Sequence, residues 1–104
     1  EFASGKLLYF SLDIDVVDPA FAPGTYYKEP GGLTSRQLIY IIQRINKMKN
    51  LKAIDIVEIN PKLDSNGITV KLGARILGEF LWAPQFVLLL INNYRIERFI
   101  NLKI

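Results

Sequence analysis

Two carboxylates two residues apart, Asp13 and Asp15, end an apolar run that covers residues 7–12. Side chains at i and i+2 of a strand share a face, so their negative charges should crowd together, a repulsion that a bound cation removes. Glu58 lies in a second apolar run, at 53–59. Oxygen ligands favour hard cations such as manganese, magnesium or calcium, so the pattern predicts a metal site. The pair would also fit a solvated loop in which Asp18-Pro19 is an ordinary turn.

Two strands and two helices should position these carboxylates. The nearly unbroken apolar stretch at 6–14 is typical of a parallel strand buried on both faces. Thr34 and Gln37 form a capping-box signature, and apolar spacing from there predicts a helix over 35–49. A strand at 53–59 and a helix at 68–81 should follow. Strand, helix and strand in this order make a βαβ unit, which requires parallel strands.

The carboxyl ends of parallel strands meet at one edge of a sheet, where ligands bind. Asp13, Asp15 and Glu58 should therefore converge there. Asp55, three residues before Glu58, should face the other side of its strand as a buried hydrogen-bonding residue. The loop at 16–33 holds three of the five prolines and several glycines, which indicates a functional loop over the site.

Composition excludes several classes of protein. The chain has 104 residues, 50% hydrophobic, within the range of one domain. Its 13 basic and 10 acidic residues give a net charge of +3 without a basic patch, so no nucleic-acid partner is expected. No apolar run approaches the roughly 20 residues of a membrane span. Without cysteine there is no disulfide framework, and we expect a cytoplasmic protein.

Three stretches carry a family resemblance: Ser11 to Thr25, Gly31-Gly32-Leu33-Thr34-Ser35-Arg36, and Asp55-Ile56-Val57-Glu58-Ile59-Asn60-Pro61. In order and spacing they resemble consecutive motifs of the agmatinase/arginase (ureohydrolase) family. The run Pro-Gly-Gly-Leu-Thr-Ser-Arg is nearest to the agmatinase branch. The resemblance implies an α/β fold, part of a three-layer α/β/α arginase-like domain with a parallel sheet. Residues 1–81 would supply its βαβα unit, and 82–104 a divergent, apolar helical tail.

The resemblance also implies roles for individual residues. Family enzymes use two Mn²⁺ ions to hydrolyse the guanidinium group of substrates such as agmatine, giving urea and putrescine. By position, Asp13 would bridge both ions, Asp15 would bind one, and Glu58 would bind the guanidinium. The full-length enzyme would be a homo-oligomer. The family's other metal ligands lie upstream, in histidine-bearing motifs, and this chain has no histidine, so we expect a carboxy-terminal fragment that is inactive alone.

One loop departs from the family pattern. Where the family reads Gly-Thr-Gly-Thr-Pro-Glu-Pro, this chain reads Gly24-Thr25-Tyr26-Tyr27-Lys28-Glu29-Pro30. Tyr27 therefore replaces a threonine that lies near the substrate, which leaves substrate choice open. A related enzyme, such as an arginase, guanidinobutyrase or formimidoylglutamase, is an alternative to an agmatinase. A non-catalytic relative or interaction module is the alternative from another class.

Overall fold

The computed structural model describes residues 5–82. Strand β1 spans Leu8–Asp13, helix α1 Ser35–Ile45, strand β2 Leu51–Val57 and helix α2 Ile68–Leu81, and short 3₁₀ helices occupy Ile14–Val16 and Pro61–Leu63. The two strands are parallel neighbours, which confirms the predicted βαβ unit. Within the described range, neither helix is long and apolar enough to cross a membrane. The helical tail predicted for 82–104 lies, apart from Trp82, outside the described residues.

Helix α1 begins as its sequence predicts and ends earlier. The Thr34 hydroxyl accepts from the Gln37 N–H at 3.0 Å, and the Gln37 side chain accepts from the Thr34 N–H at 2.9 Å, a complete capping box. The last helical residue is Ile45, not Lys49, because consecutive turns follow at once. These turns lead the chain directly into β2, which starts at Leu51, two residues before the predicted start.

The core lies between the strand pair and the two helices. Phe10 of β1 packs against Phe80 of α2 with ring centroids 5.9 Å apart. The predicted inward residues of α2 follow this pattern, since Leu72, Ile76 and Phe80 are buried and Leu77 is partly buried. Buried core residues from the remaining elements are Leu12, Ile14, Leu38, Ile42, Leu51 and Ile56. The described residues thus form two layers of an α/β fold.

Burial of β1 on both faces, as the sequence predicted, is wrong for the described residues. Along β1 the side chains alternate, because Leu8, Phe10 and Leu12 face the core and the intervening Tyr9 and Ser11 are exposed. Tyr9 is 56% exposed. The physical reason is that both helices pack on the same side of the strand pair, and no described element covers the other side.

A buried carboxylate, Asp64, starts helix α2. Gly67 at the N-cap has a positive φ of 66° and no side chain to cap the helix. Asp64 takes over this role, because its carboxylate accepts the backbone N–H groups of Thr69 at 3.1 Å and Val70 at 2.9 Å. Burial alone would raise the pKa of Asp64, but the hydrogen bonds from Val70 and from the backbone and hydroxyl of Thr69 outweigh burial and lower it.

The lowered pKa of Asp64 makes stability depend on pH in a defined direction. The fold favours the carboxylate, so its stabilising contribution is complete above the ordinary carboxyl pKa of about 3.9. It is lost as the pH falls through the lower pKa of the folded state. We expect Asp64→Asn to lower the free energy of unfolding by about 1 kcal/mol at neutral pH, a difference that shrinks in acid. Urea unfolding across this pH range measures it. Glu29→Gln, at an exposed position, is the control, and a difference independent of pH would contradict this role.

Candidate metal and substrate site

Parallel pairing brings the ends of β1 and β2 to the same edge of the sheet. Asp13, the last residue of β1, pairs with Val57, the last residue of β2. Glu58 follows Val57 directly, so it leaves the sheet beside Asp13. The sequence predicted this meeting of the two strand ends, and the register places it there.

Asp13 and Asp15 approach each other by a route that the sequence did not predict. They do not share a strand face, because β1 ends at Asp13 and Asp15 lies in the 3₁₀ helix Ile14–Val16. The cause is local: Asp13 Oδ1 accepts the backbone N–H of Asp15 at 3.0 Å, which caps the 3₁₀ turn. Their carboxyl groups are nevertheless close enough to interact directly.

The close approach of Asp13 and Asp15 is electrostatically unfavourable when both carboxyl groups are charged. The pKa of Asp15 is raised, and the largest cause is the side-chain interaction with Asp13, which favours the protonated form of Asp15. Burial and the negative charges of Asp13 and Glu58 raise the pKa of Asp15 further. The structure therefore brings Asp13, Asp15 and Glu58 close enough for their charges to interact at the edge of the sheet.

This cluster alone does not form a complete metal centre. Among residues 5–82, no three His, Cys, Asp or Glu side chains are arranged so that they could hold a metal ion. The donors that the described chain offers are the Asp13–Asp15 pair. Neighbouring carboxylate oxygens are ligands that hard cations prefer, so the pair fits such an ion as part of a larger ligand set.

Glu58 has an unusual backbone. Its φ of 70° lies in the left-handed region, and no other non-glycine residue of the described chain has a positive φ. Side chains in this region cost about 1–2 kcal/mol, because Cβ crowds the following carbonyl oxygen. Glu58 also lines a mainly apolar cleft of about 320 Å³ between the end of β2 and helix α2, with Val70 and Leu77 on the helix side.

Asp55 takes the structural role predicted for it. It is 6% exposed, and its Oδ1 accepts a hydrogen bond of 2.6 Å from the Ser11 hydroxyl across the two strands. This partner satisfies a carboxylate that would otherwise be costly to bury. Asp55 therefore ties β1 to β2 and does not join the carboxyl cluster.

The loop after β1 is closed at its base. Leu33 N–H donates to the Val16 carbonyl at 2.9 Å, and Asp18 N–H donates to the Leu33 carbonyl at 2.8 Å. The Asp18 carboxylate accepts the N–H groups of Ala20 and Gly31, each at 2.9 Å, and these bonds lower the pKa of Asp18. The Asp18 carboxylate thus joins the start of the loop to its end at Gly31.

Gly24 joins this loop to the second strand and to α2. Its N–H donates to Thr69 Oγ1 and its carbonyl accepts the Asn60 N–H, both at 2.8 Å. A Cβ at this position would lie 2.5 Å from the Cβ of Asp64, so only glycine fits. Sequence reasoning did not find Asp64, Thr69 and Asn60 in this role. The available signal was an acidic residue shortly before a helix that lacks its own capping side chain.

Tyr27 lies exposed beside Tyr26 on this loop. The two rings meet edge to face, with centroids 5.1 Å apart and an angle of 79° between their planes. Tyr26 is 70% exposed, and Tyr27 is 65% exposed. The buried Thr25 donates its hydroxyl to the Tyr27 carbonyl at 3.0 Å, which fixes the backbone that carries both rings.

Comparison with known proteins agrees with this geometry. Residues 1–82 match the sequence profile of the Arginase family. Proclavaminate amidinohydrolase of Streptomyces clavuligerus is 44% identical over 75 residues, covering 72% of this chain and 24% of that protein. In its solved structure, the match covers 79% of this chain and 27% of that chain, with a TM-score of 0.70 and 42% identity.

Relatives of other specificity are similarly close. Agmatinase of Bacillus subtilis is 38% identical over 79 residues, covering 75% of this chain and 27% of that protein. Guanidinobutyrase of Pseudomonas aeruginosa is 44% identical over 81 residues, covering 78% of this chain and 25% of that protein. The chain therefore spans about a quarter of the length of these curated relatives. With a family match over most of its length, the chain belongs to the arginase (ureohydrolase) family.

Proposed function

We propose that this chain is part of an agmatinase-like, manganese-dependent ureohydrolase and supplies half of its active site. Asp13 and Asp15 would hold manganese, and Glu58 would bind the guanidinium of agmatine. When bound, the metal would activate water for attack on the guanidinium carbon, releasing urea and putrescine. The remaining metal ligands would come from outside residues 5–82. Homo-oligomerisation of the complete enzyme and a cytoplasmic location belong to the same proposal.

Support comes chiefly from the carboxyl cluster at the end of the parallel strands. Asp13, Asp15 and the nearby Glu58 concentrate carboxyl groups where a parallel sheet binds ligands. A folded chain gains nothing from this repulsion by itself, whereas a cation would turn it into attraction. The cluster is therefore better explained as a binding site than as a structural feature.

The strained backbone of Glu58 supports its role toward the substrate. Strain of this kind persists where the surrounding structure imposes it, and it is frequent at functional sites. A carboxylate can accept two N–H groups of a planar guanidinium through charge-assisted hydrogen bonds. The φ of 70° would aim the Glu58 side chain for this contact at a cost in stability.

A non-catalytic relative is the second candidate, because the described residues lack a complete metal-ligand group. An interaction module would need neither metal nor substrate. Reading the coding sequence upstream of Glu1 separates the two candidates. An Asp-x-His-x-Asp motif there would support the enzyme, and its absence would support the non-catalytic relative.

We expect the purified chain alone to release no measurable urea from agmatine, even with excess Mn²⁺. Two aspartates and one glutamate do not complete a two-metal centre. A colorimetric urea assay measures this, with an intact ureohydrolase as the positive control. Turnover within a few orders of magnitude of that control would show that the missing ligands are not needed.

Titration calorimetry with Mn²⁺ tests the assignment of ligands. We expect weak binding that Asp13→Ala and Asp15→Ala abolish, because each removes one of the two paired donors. Asp55→Ala serves as the matched control and should have a smaller effect, since Asp55 bonds Ser11 instead. Glu58→Ala should leave metal binding nearly intact. Loss of binding in Glu58→Ala with retention in Asp15→Ala would reverse the roles assigned to these residues.

Two substitutions at Glu58 separate the backbone from the side chain. Both Glu58→Gly and Glu58→Ala remove the carboxylate, but only glycine adopts a positive φ without strain. We expect Glu58→Gly to exceed Glu58→Ala in free energy of unfolding by about 1 kcal/mol. Urea denaturation of both variants measures this difference. Equal stabilities would show that the backbone at Glu58 is not strained.

A further inference from the structure

The tyrosine pair, Tyr26 and Tyr27, presents two large aromatic rings to solvent on an anchored loop. The rings are nearly perpendicular, at 79°, and so form a corner that one ligand group can enter. Neighbouring tyrosines that are 70% and 65% exposed contribute little to the core. Packing in the core therefore does not explain why two tyrosines occur at these positions.

The loop beneath the tyrosine pair is held on both sides. Thr25 is 1% exposed and bonds the Tyr27 carbonyl, and both backbone polar groups of Gly24 are engaged. A ligand that binds the rings would therefore not have to order the loop first. Such preorganisation lowers the entropic cost of binding.

One hydrogen bond connects the loop of the tyrosine pair to the segment that carries Glu58. The hydrogen bond between the Gly24 carbonyl and the Asn60 N–H, at 2.8 Å, joins the loop to the segment after β2. Tyr26 follows Gly24 by two residues, and Glu58 precedes Asn60 by two. A short linear substrate whose guanidinium is held by Glu58 could thus place its other end at the rings.

We infer that the tyrosine pair recognises a cationic far end of the substrate, and so selects guanidinoalkylamines over guanidino acids. This inference rests on the proposed function, in which Glu58 holds the guanidinium. The faces of aromatic rings are negative, so they attract an ammonium group within about 6 Å and disfavour a carboxylate. The exposed neighbours Lys28 and Glu29 carry opposite charges that offset each other. The rings therefore determine which ligand charge this loop prefers.

Two ligands with the same guanidinium group and different far ends test the selection. Agmatine ends in an ammonium and guanidinobutyrate in a carboxylate. Each is titrated into the full chain while the tyrosine ring signals are followed by NMR. We expect agmatine to shift the signals of Tyr26 and Tyr27 and to bind about fivefold more tightly than guanidinobutyrate, as a cation–π contact at an exposed site allows.

Substitutions test whether the two tyrosine rings cause the preference for agmatine. Tyr27→Thr and Tyr26→Ala should each bring the ratio of the two dissociation constants close to one. Tyr40→Ala, at an exposed tyrosine of α1, is the matched control and should leave the ratio unchanged. Tighter binding of guanidinobutyrate, an unchanged ratio in Tyr27→Thr, or no shift of either ring with agmatine would overturn the inference.

A pair of ligands without a guanidinium separates this inference from the proposed function. Butylammonium should shift the Tyr26 and Tyr27 signals in the parent chain and in Glu58→Gln alike, whereas butyrate should shift them in neither. If Glu58→Gln does not weaken agmatine binding while butylammonium still shifts the ring signals, the role proposed for Glu58 is wrong and the proposed cation site is retained. If butylammonium shifts neither ring, the cation site is overturned whatever agmatine does.

Discussion

Parallel pairing of β1 with β2 is the constraint on which the rest of the structure depends. The register from Tyr9 opposite Ala53 to Asp13 opposite Val57 makes both strands finish at one level. Parallel neighbours need a crossover between them, which places α1 and its capping box between the strands in sequence. The partly buried Ser11–Asp55 hydrogen bond ties the strands together just before their ends. The acidic residues that follow are brought together as a consequence.

The edge of the sheet combines several features that do not stabilise the fold. Asp13, Asp15 and Glu58 crowd their carboxyl groups, which raises the pKa of Asp15, and the backbone of Glu58 is strained. Elsewhere in the described chain carboxylates are satisfied, as at Asp18 and Asp64, whose pKa values are lowered by N–H donors. This contrast between satisfied and crowded carboxylates within one small fold supports the binding site proposed at this edge.

A series of hydrogen bonds fixes the position of this edge relative to helix α2. Asp64 caps α2, Thr69 of α2 bonds the loop at Gly24, and Gly24 bonds the segment that carries Glu58. The loop bearing the tyrosine pair is therefore attached to both the helix and the second strand. The loop differs from the family pattern in its side chains, while hydrogen bonds hold its backbone in place. Changes of this kind are how one family can include relatives that act on different guanidino compounds.

The sequence by itself determined the elements and the candidate residues. Apolar runs, a capping box and helical spacing are local signals, so both strands, both helices and the buried role of Asp55 could be predicted. Only the three-dimensional structure decided the rest, because it depends on polar contacts, near and far in sequence, that apolar spacing does not reveal. The 3₁₀ turn at Asp15, the early end of α1 and the exposed face of β1 followed from local turns and helix packing. The link from Asp64 through Thr69 to Gly24 spans more than 40 residues, a distance over which no pattern in the sequence pairs one polar group with another.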